Sequence, residues 1–228
     1  MITRLPALCA VLFDLDGTLL DTAPDLAHAL NQVLINQGRA PLPFEHIRPV
    51  VSHGGKALIE LGFGIDEVDA GFADLRRQLL DIYRANLARE TRLFPGMEQV
   101  LEGLLARGLN WGVVTNKPGW LTEPLLRELG LYEQAACVVS GDTVPERKPH
   151  PAPMLHACRL AGCEAPQCLY VGDAQRDIEA GRNAGMHTLV AMFGYIQAED
   201  RPETWGADGA VDTPLEILDR VDRLRQLV

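Results

Sequence analysis

The apolar run Ala7-Leu8-Cys9-Ala10-Val11-Leu12-Phe13 ends in Asp14-Leu15-Asp16-Gly17-Thr18. An apolar run of this length closed by a glycine reads as a buried parallel strand entering a tight loop. Side chains at i and i+2 of an extended chain face the same way. Asp14 and Asp16 are therefore expected together at the carboxyl end of that strand, which in an open α/β sheet is where ligands bind. Two carboxylates so close repel unless a shared proton or a cation relieves them. Mg2+, a hard ion satisfied by one or two carboxylates, waters and a phosphate, does so most simply. Taken alone, the two acids could equally be loop residues capping the next helix.

After Ala23-Pro24-Asp25, the apolar residues Leu26, Ala29, Leu30, Val33 and Leu34 recur at helical spacing until Gly38, a helix with a proline start and a glycine stop. Further helices are expected over 44–51, 57–61 and about 66–92, and no strand candidate falls between Thr22 and Leu93. From Phe94-Pro95-Gly96 onward, strands at 111–114, 137–139, 169–171, 188–191 and 209–211 alternate with helices at 97–107, 119–129, 151–161, 177–184 and 214–227. Such alternation means a parallel sheet with helices on both faces. The expected fold is α/β: a Rossmann-like core domain, residues 1–20 and 94–228, with a small all-helical cap domain, residues 21–93, inserted after the first strand.

The 228 residues suffice for a sizeable core. A net charge of −10 argues against nucleic acid, which needs a basic footprint, and against an anionic membrane surface. It leaves room for a small anionic substrate, because a metal and a few local cations reverse the field inside a cleft. The first apolar run is too short for a signal peptide, and no stretch approaches the ~18–20 apolar residues of a membrane span. The five cysteines, Cys9, Cys137, Cys158, Cys163 and Cys168, form no zinc spacing. Their odd count, and the place of Cys9, Cys137 and Cys168 in apolar runs, read as reduced thiols in a cytoplasmic protein, either a monomer or a homodimer.

Three more strand ends carry polar residues. Thr115-Asn116-Lys117 follows the strand at 111–114. Its hydroxyl and free N–H groups could hold phosphate oxygens or simply form an ST-turn before Pro118. Lys148, in Arg147-Lys148-Pro149, could neutralise phosphate charge or be a solvated loop lysine. Gly172-Asp173 ends the strand at 169–171, with Asp177 four residues on. Together these two acids could complete a Mg2+ site, or Asp177 could face the dipole of a helix N-terminus.

In this order, D-x-D-G-T, then T-N, then K-P, then G-D-x-x-x-D, the residues resemble the four motifs of the haloacid dehalogenase superfamily of phosphohydrolases, over almost the whole chain. The resemblance implies a Mg2+-dependent phosphatase of carbohydrate metabolism. It makes Asp14 the nucleophile that forms an aspartyl-phosphate, and Asp16 the general acid/base. Thr115, Asn116 and Lys148 would bind the phosphoryl group. Asp14, Asp16 through its carbonyl, and Asp173 would ligate the metal, with Asp177 supporting that site. In the helical insertion, Ser52-His53-Gly54-Gly55-Lys56 is either a substrate-specificity loop or a turn and helix start. There His53, Gly54, Gly55 and Lys56 could meet an acid group of the substrate.

Within the superfamily the chain looks like the phosphoglycolate phosphatase group. Trp111 to Pro118, Gly172 to Asp177, Gly194-Tyr195-Ile196 and Trp205 to Asp208 also resemble the N-acetylmuramic acid 6-phosphate phosphatases. Ala174 stands where many phosphoglycolate phosphatases carry serine. The expected substrate is 2-phosphoglycolate, with N-acetylmuramic acid 6-phosphate as the alternative. A phosphosugar mutase is a more distant one, because it needs cap residues that return the phosphate and none is identifiable here.

Overall fold

The computed structural model describes residues 7–226. Eight strands and nine α-helices occur among them, in the order β1 (Ala10–Phe13), β2 (Leu20–Asp21), α1 (Ala23–Asn36), α2 (Phe44–Ile47), α3 (Gly54–Phe63), α4 (Phe72–Arg84), β3 (Arg92–Leu93), α5 (Met97–Ala106), β4 (Asn110–Val114), α6 (Gly119–Glu128), β5 (Val138–Val139), α7 (Ala152–Ala161), β6 (Cys168–Gly172), α8 (Gln175–Ala184), β7 (His187–Ala191), β8 (Gly209–Val211) and α9 (Glu216–Gln226). Residues 1–6, the start of the expected core segment, and 227–228, including the expected helix end at Leu227, lie outside the described residues.

The main sheet has the order β5-β4-β1-β6-β7-β8, and every pairing in it is parallel. β1 is central, with Phe13 opposite both Val113 and Val171. Both faces of a parallel sheet must be covered, and the side-chain alternation of β1 shows how. Val11 and Phe13 join an apolar cluster with Met97 and Leu104 of α5 and Ile217 and Val221 of α9. Ala10 and Leu12 point the other way, into a cluster with Met154 and Ala157 of α7 and Ala180 of α8. The strand ends of β1, β4 and β6 therefore open side by side at one edge, and α1 to α4 are packed on one another next to them.

Several boundaries differ from the sequence reading for identifiable reasons. β2 and β3 pair antiparallel where the helical segment leaves and rejoins the sheet; two-residue strands carry too little periodicity to be seen. The expected helix over 66–92 shortens to α4. Ahead of it, Asp66 and Asp69 side chains accept from backbone N–H groups in local turns, an alternative to the helical ladder. Behind it, the buried Asp25 carboxylate of α1 accepts from the N–H groups of Glu90 and Thr91 and from the Thr91 hydroxyl. In place of the helix expected over 44–51 stands α2 followed by a 3-10 turn, Arg48–His53, in which Pro49 lacks a donor. α3 runs through Gly62, where a Cβ would lie 3.0 Å from Leu30 Cδ1, and stops at Gly64 with φ 69°.

The cysteine reading needs correction. Cys9 and Cys163 form a disulfide across 154 residues, with Cα atoms 6.1 Å apart. The turn after α7 carries Cys163 to the head of β1, a proximity no local sequence signal reports. Cys137, Cys158 and Cys168 are free and buried, with the Cys158 and Cys168 sulfurs 3.7 Å apart. Among the described residues, no helix is long and apolar enough to cross a membrane.

Candidate active site

β1 delivers Asp14 to the site. Its N–H donates to Val171 O of β6 at 2.9 Å, continuing the ladder by one residue. Its Oδ1 accepts from Leu15 N–H and from Lys148 Nζ, each at 2.8 Å. Oδ2 of Asp14 has no hydrogen-bond partner among the described residues. Burial alone would raise its pKa, but the charges of Lys148 and Arg176 outweigh burial and hold the carboxyl below its ordinary value. Asp14 is an ionised carboxylate with one oxygen free.

The chain turns back after Asp14. Gly17 has φ 86°, and a Cβ there would run into the Asp173 carboxylate and the Tyr195 ring. The glycine of D-x-D-G is thus required by both backbone and space. The strand ends at Phe13, and Asp16 lies in the turn beyond it. Its Oδ1 accepts from Thr22 Oγ1 at 2.6 Å and Lys117 Nζ at 2.9 Å. Lys117 also donates to the Tyr83 hydroxyl of α4 at 2.9 Å. Burial raises the Tyr83 phenol to about 12, so it stays neutral in ordinary buffers.

The loop after β5 supplies Lys148, which is buried. Its ammonium is surrounded by Asp14 Oδ1 and Asp177 Oδ1, both at 2.8 Å, and by Val114 O and the Tyr170 hydroxyl, both at 2.9 Å. Burying an ammonium is costly unless it is paired and hydrogen-bonded, and this one is. Asn116 fixes the loop by clamping the Lys148 backbone, donating from Nδ2 to its carbonyl and accepting its N–H at Oδ1, each at 3.0 Å. Asn116 therefore sets the position of Lys148. Thr115 Oγ1 accepts from Lys117 N–H in the ST-turn that the sequence leaves open, which leaves its hydroxyl proton free to donate.

β6 and α8 bring in the second pair of acids. Carboxylate oxygens of Asp14, Asp173 and Asp177 lie within 4.8 Å of one another. Asp173 Oδ1 accepts from Thr18 Oγ1, and its Oδ2 from Tyr195 N–H at 2.9 Å and Ser52 Oγ at 2.8 Å. Even so, burial and the charges of Asp14 and Asp177 push its carboxyl up to about 7. Asp177 is raised by burial and by Asp14, against the pull of Lys148 and Arg176. Its Oδ2 accepts from Ala174 N–H at 3.0 Å, so it also caps the first turn of α8.

The helical segment contributes Ser52 directly, through Asp173, and His53 as part of a cleft of about 140 Å³ shared with Asp173, Arg176 and Tyr195. Burial, then Arg176, lowers the His53 pKa, so its ring is neutral at pH 7. Gly54 breaks the 3-10 turn with φ 76°, and Gly55 lies against Leu79 and Leu80 of α4. Lys56 points elsewhere and pairs with Glu67 at 3.0 Å and Glu60 at 3.8 Å.

A family model described as haloacid dehalogenase-like hydrolase matches residues 11–191. This chain is a haloacid dehalogenase-like hydrolase. It is 42% identical over 213 residues to an N-acetylmuramic acid 6-phosphate phosphatase of Pseudomonas putida, covering 93% of this chain and 96% of that one. It is 43% identical over 209 residues to a phosphoglycolate phosphatase of Xanthomonas campestris, covering 91% and 94%. The crystal structure of a protein from Haemophilus somnus, described as a predicted phosphoglycolate phosphatase, superposes with a TM-score of 0.82 at 30% identity, covering 93% and 97%. These relatives place the chain among the phosphoric monoester hydrolases of its family.

In this haloacid dehalogenase-like hydrolase, Asp14, Asp173 and Asp177 offer only hard oxygen donors, without histidine or thiolate, and Asp173 is pushed toward neutrality by burial and by the charges of the other two acids. Both features fit a hard divalent cation. Lys117, Arg176, Tyr83 and Tyr195 are site residues that the sequence reading does not single out. Two of them are within its reach: Lys117 extends T-N, and Arg176 precedes Asp177. Tyr83 carries no local signal, and Tyr195 stands in the Gly194-Tyr195-Ile196 segment of the resemblance without a role of its own. Tyr195 donates to Asp21 Oδ1 and accepts from Ala23 N–H, contacts that span 172 residues or more.

Proposed function

We propose that this chain is a Mg2+-dependent phosphomonoesterase that hydrolyses a small phosphorylated acid, 2-phosphoglycolate, through an aspartyl-phosphate on Asp14. The observation that carries the reading is the Asp14 carboxylate, ionised by Lys148, with Oδ2 unengaged beside two further buried acids. Asp14, the carbonyl of Asp16, and Asp173 would hold the ion, supported by Asp177, and Mg2+ there would neutralise charge on the transferring phosphoryl group. Thr115 and Lys148 would orient that group, while Asn116 holds Lys148 in place. Asp14 Oδ2 attacks phosphorus in line with the departing ester oxygen. Asp16 gives that oxygen a proton through its own unengaged Oδ2 and later takes one from the water that cleaves the acyl phosphate. A carboxylate nucleophile thereby divides one difficult hydrolysis into two easier steps.

Residues 21–93 act in this reading as a cap that closes over the strand ends and excludes water. Ser52 supports it by reaching from that segment to Asp173. The match to a phosphoglycolate phosphatase of X. campestris favours 2-phosphoglycolate. The match to the P. putida enzyme favours N-acetylmuramic acid 6-phosphate as the second reading, with a wider cap opening. The enzyme would act on its small metabolite in the cytoplasm, as a monomer or homodimer, although the Cys9–Cys163 disulfide does not speak for a reducing compartment.

The test is Mg2+-dependent phosphate release from the two esters side by side, with Asp14→Asn as blank. A preference of roughly a hundredfold in kcat/KM for one ester, about 2.7 kcal/mol of transition-state discrimination, assigns the substrate. Release from neither, or activity retained in Asp14→Asn, overturns the proposal.

A further inference from the structure

Resting on the reading of an acidic phosphate ester, we infer that Arg176 is the residue that binds the substrate's carboxylate, in the cleft between the α8 N-terminus and the Ser52-His53 segment. Every other cation near the site is engaged. Lys148 is held by Asp14 and Asp177, Lys117 by Asp16, and Lys56 by Glu67. Arg48 donates to the carbonyls of Gly194 and Phe193 and stacks on the Tyr195 ring. Arg176 makes one hydrogen bond among the described residues, from Nη2 to Ser52 O at 2.7 Å, and it forms no ion pair there. A guanidinium carries five N–H donors in a rigid planar fork. Its remaining donors lie on a half-buried side chain that lines the cleft with Ser52, His53, Asp173 and Tyr195.

The placement suits a carboxylate better than the phosphoryl group. Phosphoryl oxygens belong at Asp14, Thr115 and Lys148, whereas the cleft opens beside Asp173, on the side facing Ser52 and His53. A planar fork matches a carboxylate in bidentate fashion. Asp200 lines the far wall, where its Oδ2 accepts from Gln197 N–H. The hydrogen bond to Ser52 O also means that this carboxylate site is complete only while the Ser52 segment rests on the core.

The experiment uses two substrate pairs, each with one member lacking the carboxylate: 2-phosphoglycolate against ethyl phosphate, where a methyl replaces it, and N-acetylmuramic acid 6-phosphate against N-acetylglucosamine 6-phosphate, which lacks the whole lactyl group that carries it. The readout is the ratio of kcat/KM within each pair, for wild type, Arg176→Gln and Arg176→Lys. The expected result is a wild-type preference for the acidic member of the pair containing the true substrate. That preference shrinks by roughly ten- to a hundredfold in Arg176→Gln, the range for a lost charged hydrogen-bond pair, and by less in Arg176→Lys. Arg176→Gln retaining the wild-type ratio overturns the inference, as does an equal loss on both members of a pair. A wild-type enzyme with no acid preference refutes the acidic-substrate reading, and this inference with it, before any variant is made. If Arg176→Gln does not fold, judged by its circular dichroism and melting, Arg176→Lys decides: an unchanged ratio overturns the inference and a reduced one supports it.

Discussion

Lys117 Nζ lies 2.9 Å from Asp16 Oδ1 and 2.9 Å from the Tyr83 hydroxyl, so one ammonium ties the proposed general acid/base to helix α4 of the inserted segment. Asp16 is held at one oxygen by this cation and by Thr22, with its other oxygen left to meet substrate. Lys117→Met removes the cation but keeps the stem, and it leaves the Asp16 carboxylate held by Thr22 without its counter-charge. The expected outcome is a kcat reduced about 10- to 100-fold, the lower part of the range for general acid–base catalysis. KM should move much less, because Lys117 contacts Asp16 rather than substrate. Steady-state kinetics on the preferred ester checks this; a KM effect larger than the kcat effect would place Lys117 in substrate binding.

Lys148 tests the electrostatic balance of the buried site. Its ammonium separates two carboxylates, each 2.8 Å away. Removing one partner of a buried, hydrogen-bonded ion pair leaves charge uncompensated and typically costs about 3–5 kcal/mol. Lys148→Met in the metal-free protein is expected to lose stability of that order in urea unfolding. Added Mg2+ should recover part of the loss, since it supplies positive charge to the same acids. Turnover should not recover, because the transferring phosphoryl group loses its own cation.

Lys56 gives the opposite expectation. The sequence makes it a candidate substrate contact, yet its ammonium is exposed and paired with Glu67 and Glu60. Exposed pairs of this kind are screened by solvent and contribute little. Lys56→Ala should leave kcat and KM for the preferred acid ester within about twofold of wild type. A selective rise in KM for acidic esters would bring Lys56 back to the site.

What is legible in the residues divides along local and distant lines. The parallel sheet is readable because each buried strand is a short apolar run, and its polar strand ends, Asp14, Thr115 and Asp173, fall at the ends of those runs. Extended-chain geometry stops at Phe13, so the partners of Asp16, Thr22 and Lys117, are set by the turn beyond the strand and are not readable from strand alternation. Asn116, a phosphate contact by its motif, has a side chain that holds the Lys148 backbone 32 residues on. The Asp25 interaction with Glu90 and Thr91, the Tyr195 bridge to Asp21, and the Cys9–Cys163 disulfide join residues 65 to 174 apart. No periodicity encodes such contacts; they exist only once the sheet has brought their elements together.

Asp173 links metal binding to stability through pH. Its carboxyl is pushed from an ordinary 3.8 up to about 7 by burial and by its acidic neighbours. The folded, metal-free protein therefore holds a proton there that the unfolded chain has already released. Stability changes with pH in proportion to protons bound unfolded minus protons bound folded. For this group the difference is negative between about pH 4 and pH 7, so its stabilising contribution is present at acid pH and is lost as pH rises through about 7. Asp14 is the opposite case: burial raises it, but Lys148 and Arg176 prevail and lower it, so its contribution is lost as pH falls through its folded value. Asp177, raised by burial and by Asp14, acts in the same direction as Asp173, while His53, lowered by burial and then by Arg176, acts in the opposite one. The metal-free protein is expected to become less stable by a few kcal/mol between pH 5 and pH 8, at about 1.4 kcal/mol for each pH unit over which only the folded state keeps the proton. Saturating Mg2+ should flatten that slope, because a divalent cation favours the ionised carboxylate in the folded state. Melting temperatures at half-unit pH intervals, with EDTA and with excess Mg2+, measure both slopes. A metal-free protein that grows more stable across this interval would show that Asp173 is ionised without the ion, and that the three acids are balanced by Lys148 and Arg176 alone.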